Sequence, residues 1–272
     1  MERPLVSIVT PSLNQGVYIE DAIRSVLEQD YPHVEHIVAD GGSTDGTLAV
    51  LHRYSHLIWV SEPDRGQADA VNKGFAMASG DIFGWLNADD LYLPGAVSAA
   101  VEALQESGCA LVHGGWRQID EEGRTIKDVE PVPFEYQRQL EVANRVAQPG
   151  GFFTRHAFEA VGGLDVSYRY AMDYELWLKI GARFDVCHVD RVLGAFRYHP
   201  HSKTVAEPLG FVAETVRASR SHGGGRFSPI YLDWYLPRHR PWLYRGLTIW
   251  RLLRRGDLRG LVGLAPRKRG SA

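Results

Sequence analysis

The first half of the chain switches regularly between two hydrophobic periodicities. Short β-branched runs typical of buried strands lie at 5–10, 36–39, 57–61 and 82–86. Segments with apolar residues at helical spacing follow them at 19–29, 47–54, 67–78 and 94–106. This alternation predicts an α/β domain in which helices cover both faces of a mostly parallel sheet.

The second half of the chain has a mixed pattern. Strands are predicted at 110–119, 184–189 and 194–198, helices at 134–142 and 173–180, and a hairpin turn at 120–123. We place a domain boundary after residue 208. Residues 1–208 then form the α/β domain, and residues 209–272 form a basic, aromatic-rich helical C-terminal extension.

Polar residues follow each of the first four predicted strands. These clusters lie at 11–14, 40–45, 62–66 and 87–90. Ligands of open α/β sheets bind outside the carboxyl ends of the strands, so we expect the four clusters to converge on one crevice.

Asp89 and Asp90 are adjacent carboxylates at the end of a predicted central strand. A divalent cation would relieve their repulsion, and oxygen ligands favour Mg²⁺ or Mn²⁺ shared with substrate phosphates. The alternative is that these acids cap the helix that begins near Pro94. The spacing alone leaves both interpretations open.

A series of sequence blocks carries a family resemblance. In order, they are VSIVTPSLN at 6–14, AIRSVLEQ at 22–29, DGGSTDGT at 40–47, EPDRG at 62–66, AVNKG at 70–74, NADDLYLP at 87–94, GGLD at 162–165, MDYELW at 172–177 and FRYH at 196–199. Together they resemble the inverting nucleotide-sugar glycosyltransferases of family 2, and they cover roughly residues 5 to 204. The resemblance implies a Rossmann-like GT-A fold and a metal-dependent glycosyltransferase of the hexosyltransferase class. Such an enzyme moves a sugar from a nucleoside diphosphate sugar, with a UDP-sugar favoured, to a glycan or lipid-linked acceptor in surface polysaccharide synthesis.

The resemblance also implies roles for single residues on the donor side. Asp40 matches the acid that contacts the base or ribose of the nucleotide, and Arg65 and Lys203 are expected to pair with the diphosphate. The full set expected to bind the nucleotide sugar is Pro11, Ser12, Asn14, Asp40, Asp64, Arg65, Asn72, Asn87, Ala88 and Lys203.

Asp89 matches the last acid of the family's D-x-D motif, which binds the Mg²⁺ or Mn²⁺ cofactor. His199 matches a position that completes the metal site, with His201 as its competitor. Asn87 replaces the first acid of the motif. Asn87→Asp is therefore expected to keep activity and to tighten metal binding, because it restores the charge.

Asp173 matches the acid that serves as general base for the acceptor hydroxyl. Glu175 competes for this role, and the alternative for Asp173 is a capping position on the helix that follows. The expected acceptor-side residues are Gln148, Gly150, Gly151, Phe152 and Glu175, where glycine permits close approach and phenylalanine stacks on a sugar face.

The composition, with 44% hydrophobic and 23% charged residues, is that of an ordinary globular chain and excludes disorder. The two cysteines, Cys109 and Cys187, fit a reducing compartment, and we expect them to be small buried apolar side chains. No uncharged apolar stretch of about 18 residues occurs, and the chain starts with a strand-like segment instead of a signal peptide. We therefore expect a cytoplasmic protein.

The charge is divided unevenly along the chain. Residues 1–210 carry 17 Lys and Arg against 30 Asp and Glu, whereas residues 211–272 carry 13 against 3. The basic, aromatic-rich segment is typical of an anionic membrane surface, with a packing element or a homo-oligomer contact as alternatives. Nucleic acid is not expected as a partner, because the front portion is acidic.

A second function class remains open at this level. A non-catalytic nucleotide- or glycan-binding protein with a GT-A fold would keep the same blocks after it lost the first D-x-D acid. Slow hydrolysis of a nucleotide sugar in the presence of Mn²⁺ distinguishes a catalyst from such a binding protein.

The basic segment generates the first testable prediction. Each Lys or Arg near an anionic membrane contributes about 1 kcal/mol of favourable binding free energy. The full chain should therefore cosediment with anionic vesicles at low salt and be released at high salt. A chain that ends near Leu209 is expected to stay in solution. Binding that does not depend on lipid charge would reject the membrane role.

Overall fold

The computed structural model of the protein describes residues 3–142, 144–200 and 202–240. The strands are β1 Val6–Ser12, β2 Val34–Asp40, β3 Ile58–Ser61, β4 Ile82–Trp85, β5 Leu91–Tyr92, β6 Leu111–Ile119, β7 Thr125–Val129, β8 Gly151–Thr154 and β9 Val186–Arg197. The helices are α1 Ile19–Leu27, α2 Thr47–Leu51, α3 Gln67–Met77, α4 Ala96–Ser107, α5 Tyr136–Glu141, α6 Arg155–Ala160, α7 Met172–Gly181, α8 Lys203–Ala206, α9 Pro208–Ser221 and α10 Pro229–His239. A 3-10 turn spans Gln148–Gly150.

The described strands form one sheet in the order β3-β2-β1-β4-β8-β6-β9-β5, and β7 pairs with β6 beside this path. The four strands β3, β2, β1 and β4 are parallel, and each is followed by a helix or a turn leading to one, as the alternating pattern predicts. All seven residues of β1 are buried, which explains its continuous β-branched run. The predicted α/β fold class is therefore confirmed.

The second half of the sheet is mixed. Strand β8 runs antiparallel to both β4 and β6, and it joins the two halves of the sheet. The sequence pattern missed β8 and the two-residue strand β5, which are too short to show a periodicity. The two strands predicted at 184–189 and 194–198 are one long strand, β9, whose pairing with β6 shifts register near Gly115.

Helix α7 lies in a hydrophobic cluster whose side chains come from strands in the first half of the chain and from the C-terminal helices α9 and α10. Tyr174 and Trp177 of α7 are fully buried, and the same cluster contains Val216 and Ala218 of α9 and Ile230 of α10. Core side chains thus lie on both sides of the boundary that we predicted after residue 208.

The C-terminal segment is described only in part. Helices α9 and α10 cover residues up to 239, whereas residues 241–272, with most of the predicted aromatic and arginine positions, lie outside the described residues, as does His201. None of the described helices is both long and apolar enough to cross a membrane. A chain that ends at Arg240 is a better vesicle-binding control than one that ends near Leu209, because it keeps the core residues of α9 and α10.

The two cysteines are not separate apolar side chains as we expected. Cys109 and Cys187 form a disulfide across 78 residues of sequence. The parallel pairing of β6 with β9 brings their Cα atoms within 6.0 Å, which is inside the range for a disulfide. The sequence separation gave no sign of this approach.

The packing of α10 on the core generates a stability prediction. Ile230 is 7% exposed, and Ile230→Ala should lower the free energy of unfolding by about 2–4 kcal/mol and the melting temperature by roughly 5–15 °C. Phe227→Ala is the matched control, because Phe227 is 86% exposed and its loss should cost less than about 0.5 kcal/mol. Equal melting temperatures for the two variants would show that α10 is not part of the core.

Candidate active site

A cavity of about 670 Å³ opens where β1, β4 and β9 end. Its wall combines the ends of these strands, the 3-10 turn, the start of α3, the segment before α7 and residues from α8 and α9. Among the residues that line it are Pro11, Ser12, Asp64, Arg65, Gln67, Trp85, Asn87, Asp89, Trp116, Gln148, Tyr168, Arg169, Tyr170, Met172, Asp173, Phe196, Ser202, Lys203 and Phe211. The predicted convergence of polar clusters on one crevice is thus seen for 11–14, 62–66 and 87–90.

Asn87 is the centre of a hydrogen-bond network in the cavity floor. Its side-chain oxygen accepts from Trp85 Nε1 at 2.9 Å and from Gln67 Nε2 at 2.6 Å. Its amide nitrogen donates to Asp90 Oδ2 at 3.0 Å and to Gln148 Oε1 at 2.8 Å. The side chain therefore uses both of its donors and both of its acceptor positions within the protein.

The orientation of the Asn87 amide follows from its neighbours. The indole nitrogen of Trp85 can only donate, so it must face the oxygen of Asn87. Gln148 donates its own amide nitrogen to the carbonyl oxygen of Trp85, which leaves its oxygen facing the nitrogen of Asn87. A carboxylate at position 87 could make the first contact but not the second.

Asp90 is 1% exposed and lies beneath the cavity floor. Burial is the main cause that raises the pKa of this carboxyl well above its ordinary value, and the negative charge of Asp89 is the second. The backbone nitrogen of Arg197 donates to Asp90 Oδ1 at 2.9 Å, and Asn87 donates to its other oxygen. Both carboxyl oxygens are thus hydrogen-bonded inside the protein. Helix α4 has no side-chain cap, so the alternative that these acids cap it does not hold.

Arg197 holds the 87–90 turn against two other parts of the chain. Its side chain is 2% exposed and donates to the carbonyl oxygen of Asp89 at 2.9 Å, to that of Glu121 at 2.8 Å and to Asp21 Oδ2 at 3.0 Å. The guanidinium also lies 5.1 Å from the ring centre of Tyr18. No role was expected for Arg197, and the one sequence feature that could have indicated it is its place in the FRYH block.

Asp89 and His199 face each other at the cavity. Asp89 Oδ2 lies 3.0 Å from His199 Nε2, and the Asp89 side chain is 21% exposed whereas that of His199 is 3% exposed. The His199 ring also lies 4.8 Å from the ring of Tyr18. Within the described residues, no group of three or more His, Cys, Asp or Glu residues is arranged to hold a metal. Among the described residues, Asp89 and His199 are thus a pair of potential ligands without a third such side chain.

Asp173 lies in the first turn of α7 and lines the cavity. The helix begins one residue earlier, with Ala171 at the N-cap, so Asp173 is not its cap residue. Asn144 Nδ2 lies 3.3 Å from Asp173 Oδ2. Burial raises the pKa of Asp173 to about 6, an effect that its hydrogen bonds partly offset.

Glu175, the competing candidate, does not line the cavity. Its side chain is 7% exposed, and its carboxylate lies 3.1 Å from Lys179 Nζ and 3.5 Å from His222 Nε2. It occupies a different side of α7 from Asp173, and its partners there are Lys179 and His222.

Four of the predicted donor-side residues are not among those that line the cavity. The Asp40 carboxylate accepts from the backbone nitrogen of Ser43 at 2.8 Å and from Ser61 Oγ at 2.6 Å, so it closes the loop after β2. Asn72 exchanges two hydrogen bonds with the backbone of Leu164. The other two are Asn14, which binds the backbone of Thr44, and Ala88, which packs in a core cluster with Ile19 and Ile23.

Among the described residues, three cationic side chains line the cavity. Arg65 forms an ion pair with Asp69 at 2.7 Å, and Lys203 Nζ donates to Gln67 Oε1 at 2.6 Å. Arg169 is the third, and no sequence block indicated it, because it lies outside those that resemble the family. Gln67 links this group to the Asn87 network.

Of the predicted acceptor-side residues, Gln148 lines the cavity, whereas Gly150, Gly151 and Phe152 are not among its lining residues. Phe152 is fully buried and stacks on Tyr92 with ring centres 5.0 Å apart, so the prediction that it stacks on a sugar is wrong. A Cβ at Gly151 would lie 3.1 Å from Trp177, and one at Gly150 would lie 3.2 Å from a backbone oxygen of β6. These glycines permit close packing within the protein. The aromatic residues that do line the cavity are Trp85, Trp116, Tyr168, Tyr170, Phe196 and Phe211.

Comparisons with known proteins agree with this architecture. The family model described as Glycosyl transferase family 2 matches residues 7–162. The chain is 31% identical over 259 residues to an uncharacterized glycosyltransferase of Mycobacterium tuberculosis strain H37Rv. The aligned region covers 88% of this chain and 95% of the relative.

Two solved structures resemble the fold. The mannosyltransferase PcManGT from Pyrobaculum calidifontis, in complex with GDP-Man and Mn²⁺, superimposes with a TM-score of 0.65 at 22% identity, over 97% of this chain and 79% of that chain. Residues 1–349 of Staphylococcus aureus TarS, in complex with UDP-GlcNAc, give a TM-score of 0.65 at 15% identity, over 87% and 74% of the two chains. These similarities confirm the predicted GT-A fold.

The Asn87 network leads to a different expectation for Asn87→Asp from the one that the motif suggested. A carboxylate cannot donate to Asp90 and Gln148, so the variant should lose roughly 2–4 kcal/mol of stability at pH 7. The half-buried carboxyl beside Asp90 would have a raised pKa, so the stability deficit should shrink as the pH falls towards 4. Chemical denaturation at both pH values measures this, with Gln137→Glu on the exposed side of α5 as a control for added charge. A variant as stable as the parent at pH 7 would contradict the network.

Proposed function

The chain belongs to glycosyl transferase family 2, and we propose that it transfers a sugar from a nucleoside diphosphate sugar to a hydroxyl group of a glycan or lipid-linked acceptor. The observation that carries the proposal is one cavity of about 670 Å³ that is lined by Asp89, Asp173 and three cationic side chains. This volume lies within the range of small-ligand sites. Surface polysaccharide synthesis is the setting that we infer.

The donor half of the cavity fits a diphosphate. Arg65, Arg169 and Lys203 supply positive charge, and the first residues of α3 line the same wall. The N-terminus of a helix adds unpaired backbone N–H groups and a partial positive charge, which favour phosphate binding. We propose a UDP-sugar as donor, supported by the complex of TarS with UDP-GlcNAc, whereas the complex of PcManGT holds GDP-Man.

The pair of Asp89 and His199 fits a Mg²⁺ or Mn²⁺ ion. Such ions take one or two carboxylates from the protein and complete their coordination with water and substrate phosphates. Asp89 lines the cavity where a diphosphate would lie, and His199 Nε2 is 3.0 Å from it. When bound, the ion would offset negative charge on the departing diphosphate.

Asp173 is the proposed general base. It would take the proton of the acceptor hydroxyl while the hydroxyl oxygen forms a bond to the anomeric carbon. The bond from that carbon to the diphosphate oxygen breaks on the opposite side, the electron pair leaves with the diphosphate, and the configuration inverts. A pKa of about 6 leaves Asp173 ionised at neutral pH and makes it a stronger base than an ordinary aspartate.

The acceptor side is proposed to lie at Trp116 and Phe196. Both side chains are half-buried and line the cavity, and their rings meet edge to face with centres 6.2 Å apart. Apolar faces of sugar rings pack on aromatic side chains of this kind. These residues replace Phe152 as the candidates for sugar stacking.

A non-catalytic binding protein is the competing function. Both functions predict that a nucleotide sugar raises the melting temperature. At a concentration of about 100 times its dissociation constant, the ligand adds about 2.7 kcal/mol to the free energy of unfolding. A panel of UDP- and GDP-sugars with Mn²⁺ therefore identifies the donor. Release of UDP or GDP from the best ligand shows whether the protein also catalyses.

Asp89→Ala tests the proposed metal site. The variant should lose transfer and should lose the Mn²⁺-dependent rise in melting temperature that UDP gives, because the ion lacks its carboxylate ligand. Asp190→Ala is the control, since Asp190 is 92% exposed and outside the cavity. Full activity of Asp89→Ala would reject the metal assignment.

Asp173→Asn tests the proposed base. Turnover should fall by a factor of about 10² to 10⁴ while UDP binding stays nearly unchanged. Glu175→Gln should keep most of the activity, because Glu175 lies outside the cavity. In the parent, turnover should fall as the pH drops below about 6, since the base must be ionised. An active Asp173→Asn with an inactive Glu175→Gln would reverse the assignment.

A further inference from the structure

One face of α9 packs against the segment 167–171, which forms the cavity wall just before α7. The residues of this face, together with the N-cap position, recur at helical spacing and are Glu207, Gly210, Phe211, Glu214 and Arg217. Phe211 itself lines the cavity. The wall is therefore made by α9 and the segment together.

Glu214 is the central contact of this face. Its carboxylate accepts hydrogen bonds from three successive backbone nitrogens, those of Arg169 at 2.9 and 3.0 Å, of Tyr170 at 2.7 Å and of Ala171 at 3.0 Å. Hydrogen bonds to a charged acceptor are stronger than neutral ones, so this group fixes the path of the backbone.

Contacts on either side of Glu214 extend the attachment. Arg217 donates to the carbonyl oxygen of Ser167 at 2.9 Å, and its guanidinium lies 3.8 Å from the ring centre of Tyr168. At the other end, the hydroxyl of Tyr170 donates to Glu207. A Cβ at Gly210 would lie 2.7 Å from the Tyr170 ring, so glycine is required for this approach.

The last residue bound by Glu214, Ala171, lies two residues before the proposed base, Asp173. Ala171 is the N-cap of α7 and has no side chain that could cap the helix. Glu214 binds the backbone nitrogen of this cap residue, and Met172 and Asp173, the next two residues, line the cavity. The position of the first turn of α7 thus depends on a side chain from another helix.

We propose that Glu214 is a positioning residue for the reaction, which sets the place of Asp173 through the backbone of residues 169–171. The inference rests on the proposed function, because it assigns Asp173 as the base. Glu214 touches neither the cavity nor Asp173 in this arrangement, so its effect is on geometry. A small misplacement of a reacting group is enough to slow catalysis about 10²-fold.

Glu214→Gln is the principal test. It keeps the size of the side chain but turns an amide N–H towards at least one backbone N–H, which weakens the attachment. Release of UDP or GDP, measured with the nucleotide sugar selected in the panel, should slow by about 10- to 100-fold. The dissociation constant of UDP with Mn²⁺ is measured alongside and should change by a smaller factor than turnover does, although Arg169, which we place beside the diphosphate, belongs to the same segment. Glu102→Gln, an exposed glutamate on α4, is the matched control for loss of charge.

A double variant separates positioning from general loss of stability. If Glu214 acts through Asp173, Glu214→Gln should slow Asp173→Asn no further. Glu214→Asp, which keeps the charge but shortens the side chain, should fold and show an intermediate loss if Glu214→Gln is unstable. The proposal is overturned if Glu214→Gln is as fast as Glu102→Gln, or if its effect adds in full to that of Asp173→Asn. A fully active Asp173→Asn would instead show that the proposed base is wrong.

Discussion

Two neighbouring carboxylates at the end of β4 require hydrogen-bond donors from distant parts of the chain. Asp90 is almost fully buried, and an isolated charge there would be very unfavourable. Arg197 provides its backbone nitrogen to Asp90 and its guanidinium to the backbone of Asp89, to Asp21 on α1 and to the turn after β6. Loss of the Arg197 side chain would leave buried backbone carbonyl oxygens without their donors, at a cost of about 1–3 kcal/mol for each unsatisfied group. The geometry of the cavity floor therefore depends on this arginine.

The same network explains why an asparagine occupies position 87. In a binding motif, a missing acid suggests a weakened metal site. Here the amide joins the donor of Trp85 to the acceptors of Asp90 and Gln148, a task that needs donors and acceptors on one side chain. Of the turn 87–90, Asp89 is left as the acid that faces the cavity and His199.

For the C-terminal helices, the distribution of charge suggests a domain boundary that the packing of the core does not follow. The net charge changes sign near residue 210, which suggested a separate extension. Yet α9 and α10 contribute buried side chains to the cluster around α7, and α9 holds the wall of the cavity through Glu214. Long-range electrostatics depend on the exposed residues of a helix, whereas the domain core depends on the buried face, so one helix can serve both.

The sequence by itself determined the fold class, most element positions in the first half and the candidate acids, because hydrophobic period and motif order are local properties of the chain. It did not reveal the disulfide, the burial of Phe152 or the fact that Glu175 does not line the cavity. Those depend on which strands pair and which helix face meets the core, and such contacts join residues far apart in sequence. For the same reason, only the tertiary structure decided that Arg169 lines the cavity and that Arg197 and Glu214 bind the backbone of segments that line it. Each is an ordinary charged residue until the fold places an unsatisfied group or a cavity beside it.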